Sequence, residues 1–157
     1  MTKILVVSDI HGNHKIVEKI VNDAKYDIAI CAGDYELDLS FMQKYFDFFV
    51  DGNNDFNNHK TYYDLEIEGL NIHVEHGHKI GSYSNLMDKE FMFRHLESMN
   101  YDVLLTGHTH FPLSEIRNNK LILNPGSCSY PRFNSKPSYS IITLEDKKII
   151  GVTQHTL

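Results

Sequence analysis

Apolar residues along this chain fall into short runs, and nearly every run ends in residues with turn chemistry. Residues 3–7, KILVV, are apolar and rich in β-branched side chains, as expected of a buried strand. SDIHGN breaks that run. HKIVEKIVNDA then places Ile16, Val17, Ile20 and Val21 at the spacing of an amphipathic helix, with Asn13 as a cap. YDIAICA reads as a second buried strand closed by Gly33. Residues 39–49, LSFMQKYFDFF, have helical spacing and run toward a third short strand at FFV, which DGNND ends. The order β-α-β-α-β predicts a parallel sheet core.

The second half has a different rhythm. KTYYDLEIEGLNIHVEHGH predicts a hairpin of two alternating strands about Glu68 and Gly69. NLMDKEFMFRHLESM predicts one helix with Leu86, Phe93 and Leu96 near one face. YDVLLT is another buried strand. LSEIR, KLILN, YSIITL and IIGVTQH follow as four short strands, with RNNK and EDKK as hairpin turns. Mixed strands with helices outside predict an α/β fold of two sheets flanked by helices. No linker or repeat interrupts it, and residues 1–157 read as one domain.

Composition narrows the function. The chain has 157 residues and is 41% apolar, enough for a sizeable core. No run is long enough for a transmembrane helix, and the N-terminal run is too short for a signal peptide, so the cytoplasm is the expected location. Cys31 and Cys128 form no metal-binding CxxC pair and are expected as reduced thiols. The net charge of −6 argues against a surface for extended nucleic acid. Histidine is frequent, with ten in the chain.

The polar residues that directly follow buried strands form a pattern. Asp9 and His11 follow the first strand, and Asp34 follows the second. Asn53, Asn54 and Asp55 follow the third, His76 and His78 the hairpin, and His108 and His110 the strand at 102–106. Ligands of α/β sheets gather beyond the carboxyl ends of strands, so five strand ends can deliver these groups to one place. Gly12, Gly33, Gly52, Gly77 and Gly107 stand beside them, where a glycine allows a sharp turn or a close approach. In an extended chain, residues i and i+2 point to one side, so Asp9/His11 and His108/His110 are each expected to grip a common centre. Taken singly, DIH and GD are ordinary turns, and HGH and GHTH could be loop histidines. Together they predict a metal site. Carboxylate, imidazole and amide donors without thiolate suit Mn²⁺ first, with Zn²⁺, Fe, Co²⁺ or Ni²⁺ as alternatives. The ligands are too numerous for one ion and suit a pair of divalent ions.

SDIHGN, GD, GNND, HGH and GHTH, in this order, closely resemble the calcineurin-like metallophosphoesterase superfamily. The small size and the segment NPGSCSYPR are similar to its compact bacterial and archaeal phosphodiesterase branch. The resemblance runs from Ser8 to about Arg132. It implies a four-layer αββα sandwich of two mixed sheets. It implies that Asp9, His11 and His110 hold one metal, that Asn53, His76 and His108 hold the other, and that Asp34 bridges them. A hydroxide between the metals would attack a small phosphodiester, or a phosphomonoester. Two divalent ions outweigh the two carboxylates, so the centre would attract phosphate although the chain is acidic.

Two positions depart from the family pattern. Asn54 stands where many members carry the histidine that protonates the leaving group, and an amide cannot act as a general acid. His78 and His14 are the substitutes by position, and without one the preference is for good leaving groups. Asp51 stands where relatives often carry a basic or neutral residue; it either weakens anion attraction slightly or, the favoured expectation, faces solvent. Asp55 is either an acceptor that orients a histidine or a turn residue. Arg132 is either a bidentate donor to substrate phosphate or an ordinary surface arginine. His59, His73, His95 and His155 fall outside the motifs and are expected to be solvated or to pack. The competing functions are a non-catalytic protein-binding scaffold, as in a retromer subunit of this fold, and a nuclease or protein phosphatase. A homodimer is the expected assembly.

Overall fold

A computed structural model describes residues 1–157. In chain order the elements are β1 (Thr2–Val7), α1 (His14–Asp23), β2 (Ile28–Cys31), α2 (Leu39–Tyr45), β3 (Phe48–Phe49), β4 (Tyr62–Ile67) and β5 (Leu70–Glu75). They continue as α3 (Tyr83–Leu86), α4 (Lys89–Ser98), β6 (Val103–Leu105), β7 (Leu113–Arg117), β8 (Lys120–Asn124), β9 (Ser138–Glu145) and β10 (Lys148–Thr156). The strands form two mixed five-stranded sheets, in the orders β10-β9-β1-β2-β3 and β4-β5-β6-β8-β7.

The continuous apolar runs are explained by three layers of packing. In β1, Ile4 and Val6 point between the sheets, where they meet Ile72, Val74, Val103, Leu105 and Leu123. Leu5 and Val7 point the other way, onto Val17 and Ile20 of α1 and Met42 of α2. In the second sheet Leu104 and Ile122 face outward onto Leu86, Met92, Phe93 and Leu96. A strand buried on both faces needs no polar alternation. The result is the α/β, four-layer αββα sandwich, with one core between the sheets and one under each pair of helices.

Local chemistry sets the turns and one helix break. Glu68 and Gly69 both have positive φ between β4 and β5, as do Asn118 and Asn119 between β7 and β8, and Asp146 and Lys147 between β9 and β10. That is the two-residue geometry whose twist matches an antiparallel pair. The single helix expected over residues 85–99 is two helices. Asp88 accepts the backbone N–H of Glu90 at 3.0 Å and caps the start of α4, so the chain leaves α3 and begins again. No helix is long and apolar enough to cross a membrane.

Candidate metal centre

The ligand-bearing loops are stitched to one another through backbone bonds. Asp9 N–H donates to the Gly33 carbonyl and His11 N–H to the Asp34 carbonyl, each at 3.0 Å. Gly107 N–H donates to the His76 carbonyl at 2.9 Å, and His108 N–H to Asp9 Oδ2 at 3.1 Å. Four strand ends are thereby held side by side. Two glycines make this approach feasible by leaving space. A Cβ on Gly107 would collide with the Ser8 hydroxyl, and one on Gly52 with the Asp34 carboxylate.

The backbone here is not extended. Asp9 (φ 54°), His11 (47°), Asp34 (54°), His108 (76°) and His110 (61°) all adopt the left-handed conformation. Side chains at i and i+2 are therefore aimed by kinks rather than by strand alternation, contrary to the extended-chain expectation. A non-glycine residue in this region is destabilised by roughly 1 kcal/mol or more, and such strain clusters at functional sites.

Two ligand sets result. Asp9, His11 and His110 bring one donor atom each within 4.8 Å of one another, and so do Asp34, His76 and His108. His11 Nε2 and His110 Nε2 are 3.1 Å apart, and His108 Nδ1 and His76 Nε2 are 3.3 Å apart. Both carboxylates lie between the sets. Asp34 Oδ2 is 3.2 Å from His76 Nε2 and 3.9 Å from His11 Nε2. Asp9 Oδ1 is 3.3 Å from His110 Nε2 and 3.8 Å from His76 Nε2.

His11, His76 and His110 are each fixed by the other ring nitrogen. His76 Nδ1 is 2.8 Å from the Ala32 carbonyl, and His110 Nδ1 is 2.6 Å from the Tyr130 carbonyl. A carbonyl only accepts, so these Nδ1 atoms donate, and both Nε2 atoms face inward toward the carboxylates. His11 Nδ1 is 2.5 Å from Glu36 Oε1, which does the same for that ring. Glu36 and the two carbonyls were not legible as orienting groups. A carboxylate two residues after the GD motif was the only sequence trace of any of them.

The donor set fits divalent cations on a direct observation. Asp9 Oδ1 is buried and has no hydrogen-bond partner. Leaving a buried carboxylate oxygen unpaired is costly, and a cation among the facing imidazole nitrogens would satisfy it. Burial by itself would raise the Asp34 carboxyl, yet hydrogen bonding by His76 and Asn54 holds it well below the usual range. Burial, reinforced by neighbouring His76, pushes His108 down to about 4, which keeps its ring neutral.

Other expected site residues stand differently. Asn54, not Asn53, reaches Asp34: its backbone N–H and side-chain Nδ2 donate to the two carboxylate oxygens, each at 3.0 Å. Asn53 is exposed on the same turn. Asp55 makes no hydrogen bond to a histidine. Its carboxylate accepts the backbone N–H groups of Asp34 (2.7 Å), Gly52 (2.8 Å) and Glu36 (2.8 Å), so it shapes the two loops instead. His78 packs beside the centre, 5.6 Å from the His76 ring and 6.0 Å from the His108 ring, with a buried, unpartnered Nδ1. His14 is exposed on α1, edge-on to Phe41. Arg132 lines an open cleft of about 650 Å³ together with His11, Glu36, His110 and Tyr130.

Asp51 does not face solvent. It is buried, accepts the Tyr35 hydroxyl at Oδ1, and takes the His59 N–H at Oδ2 at 3.0 Å. Its carboxylate closes the turn beneath the GNND segment, joining the loop residue His59 to Tyr35. His59 stacks on Phe49 at 4.1 Å and His155 on Tyr139 at 5.0 Å.

The sequence profile of the calcineurin-like phosphoesterase superfamily domain matches residues 2–147. The chain belongs to this superfamily. It is 31% identical over 156 residues to a probable metallophosphoesterase of Mycoplasma pneumoniae, covering 99% of this chain and 98% of that one. Among solved structures, a Streptococcus pneumoniae protein described as a predicted phosphoesterase superposes with a TM-score of 0.76 at 23% identity, over 99% of this chain and 98% of that chain. Zinc-complexed Vps29 of Entamoeba histolytica superposes with a TM-score of 0.74 at 20% identity, again over 99% and 98%. At such identities these two structures speak for the fold. Membership supports phosphoester hydrolysis at the level of the family, and the candidate ligands fit it.

Proposed function

We propose that residues 1–157 form one metallophosphoesterase domain that hydrolyses a small phosphodiester at two divalent metals, Mn²⁺ being the first expectation. The observation that carries this reading is the pair of ligand sets joined through Asp9 and Asp34, with Asp9 Oδ1 buried and otherwise unpaired. Asp9, His11 and His110 would hold one metal, and His76 and His108 the other. Asp34 lies where a carboxylate could serve both. Asn53 stays the family-based expectation for the second metal, while the geometry favours Asn54 as the group that orients Asp34.

The metals would supply an activated water at neutral pH and charge stabilisation at the phosphoryl oxygens. The chain's own groups do the positioning. Glu36 and the Ala32 and Tyr130 carbonyls hold the imidazoles in the tautomer that presents a lone pair inward. Arg132, at the cleft, offers a planar donor to a phosphate oxygen. The Asn54 side chain donates to Asp34 and has no proton to transfer at physiological pH, so esters whose leaving group departs as a stable anion are favoured. A diester with one charge also suits an acidic chain better than a doubly charged monoester. Two free, buried thiols fit a reducing compartment, the cytoplasm.

The test is chelation with EDTA, then Mn²⁺ add-back, with an aryl phosphodiester as substrate. Activity lost on chelation and restored by Mn²⁺ is expected. Full activity in metal-free protein would sink the reading. The likeness to Vps29 favours a second reading, a protein-binding scaffold. No turnover of any aryl diester by the Mn²⁺-loaded protein would promote it.

A further inference from the structure

The cleft in front of His11 and His110 has a wall built to be rigid. Ser127 Oγ donates to the Asp9 carbonyl and accepts the Tyr130 N–H, each at 2.7 Å. Ser129 Oγ donates to the Ile10 carbonyl at 2.7 Å. The Tyr130 carbonyl takes the His110 ring proton, and the Arg132 N–H donates to the His110 carbonyl at 3.2 Å. The segment bearing Tyr130 and Arg132 is therefore tied to two ligand-bearing loops.

On this fixed frame the side chains are left open. Tyr130 is 57% exposed, with its ring edge-on to His11 at 5.7 Å. Tyr83 is 42% exposed, with its ring 4.8 Å from that of His108. Arg132 Nη1 donates to the Tyr83 hydroxyl at 3.0 Å, and the guanidinium lies 5.7 Å from that ring. Tyr130 and Arg132 thus line the opening, and Tyr83 holds the Arg132 guanidinium from beside it. A large aromatic face on a preorganised loop loses little entropy on binding and stacks on flat rings. The cleft volume of about 650 Å³ exceeds what one phosphate requires and has the size of a small-molecule site. The chain's net charge of −6 disfavours a long polyanion there.

We infer that this cleft is a subsite for the nucleoside part of a mononucleotide-type phosphoester, with Tyr130 as the stacking face for its base and Arg132 as the donor to its phosphate. The inference rests on the phosphoester reading above and names the substrate class for it.

The test is calorimetric binding of adenosine monophosphate and of ribose 5-phosphate to the Mn²⁺-loaded protein. The two share the sugar phosphate and differ by the base. Adenosine monophosphate is expected to bind about tenfold more tightly. Tyr130→Ala removes only an exposed ring and keeps the carbonyl that holds His110; it should bring the ratio close to one. Tyr130→Phe should keep the ratio, and Arg132→Ala should weaken both ligands alike. A ratio near one in the unaltered protein, no binding of adenosine monophosphate, or a ratio untouched by Tyr130→Ala would overturn the subsite. Because binding is read without turnover, the two ideas fail separately. Base-dependent binding without phosphodiester hydrolysis keeps the subsite and removes the hydrolase reading. Hydrolysis with a ratio of one does the reverse.

Discussion

Two regions of this molecule surround histidines with carboxylates, and they are built on opposite plans. In the hairpin β4–β5, His73 has both ring nitrogens on acids: Nδ1 is 2.6 Å from Asp64 Oδ1 and Nε2 is 2.8 Å from Glu75 Oε1. The ring is stacked between Tyr62 at 5.8 Å and Tyr101 at 4.9 Å. Carboxylates accept, so both nitrogens donate and the ring is an imidazolium. Burial opposes that charge, but Glu75 and Asp64 more than offset it, and the His73 pKa is raised. At the candidate metal centre, His11, His76 and His110 each use one nitrogen on an oxygen acceptor and turn the other inward. One arrangement is closed and structural, while the other brings several ligand atoms together within 4.8 Å of one another. Burial does not separate the two, since both His73 and His76 are buried; convergence does, because the inward nitrogens of the centre gather with Asp9 and Asp34 into ligand sets.

The sharpest way to break this comparison is to truncate one histidine of each kind. His110→Ala should lower phosphodiester turnover by more than about a hundredfold, the upper range for merely orienting groups, and should abolish the rise in Tm on adding Mn²⁺. His73→Asn should leave turnover within about twofold. Equal losses from the two variants would erase the distinction.

Next in size is Glu36→Gln. It keeps the shape but weakens the acceptor that sets the His11 tautomer, and Mn²⁺ affinity should fall about tenfold, read by competition with a chelator. Unchanged affinity would make the Glu36 contact incidental. A smaller effect is expected from His73→Asn on stability. Loss of two charge-assisted bonds should cost about 1–3 kcal/mol in urea unfolding.

The last prediction is the pH dependence of that cost. The folded His73 pKa lies above its unfolded value of roughly 6.5. Its contribution is therefore fully present below that value and is lost as pH rises through the folded one. Asp64 runs the other way. Burial would raise it, but the hydrogen bond from His73 leads in holding it low, so its share is lost only on acidification through the lowered value. The stability gap between the native protein and His73→Asn should be largest in mildly acidic buffer and shrink toward alkaline pH. A gap that grows with pH would contradict the imidazolium assignment.

Much of the fold was readable because a strand buried on both faces must be apolar throughout. KILVV, DIAIC and DVLL could hardly sit anywhere but between layers. Turn residues such as Glu68-Gly69 and Asn118-Asn119 announced the hairpins for the same local reason. The break between α3 and α4 was less legible, because the apolar spacing of residues 85–99 continues through the cap at Asp88. Asp51 was misread as solvent-facing because the loop folds back to bring the His59 N–H onto it and because Tyr35, beyond β2, covers it, neither of which shows in the residues beside it.

By itself, then, the order of residues determined which segments are buried and which polar groups emerge at the strand ends, since both follow from periodicity and turn chemistry within a few positions. The tertiary structure alone decided how those groups are aimed. His108 meets Asp9 across 99 positions, and His76 meets the Ala32 carbonyl across 44. The left-handed kinks at Asp9, His11, Asp34, His108 and His110 are held by such long-range bonds, because those conformations are unfavourable for an isolated chain. Which nitrogen of each imidazole faces inward, and which asparagine of GNND reaches Asp34, depend on contacts that no short stretch of the chain contains.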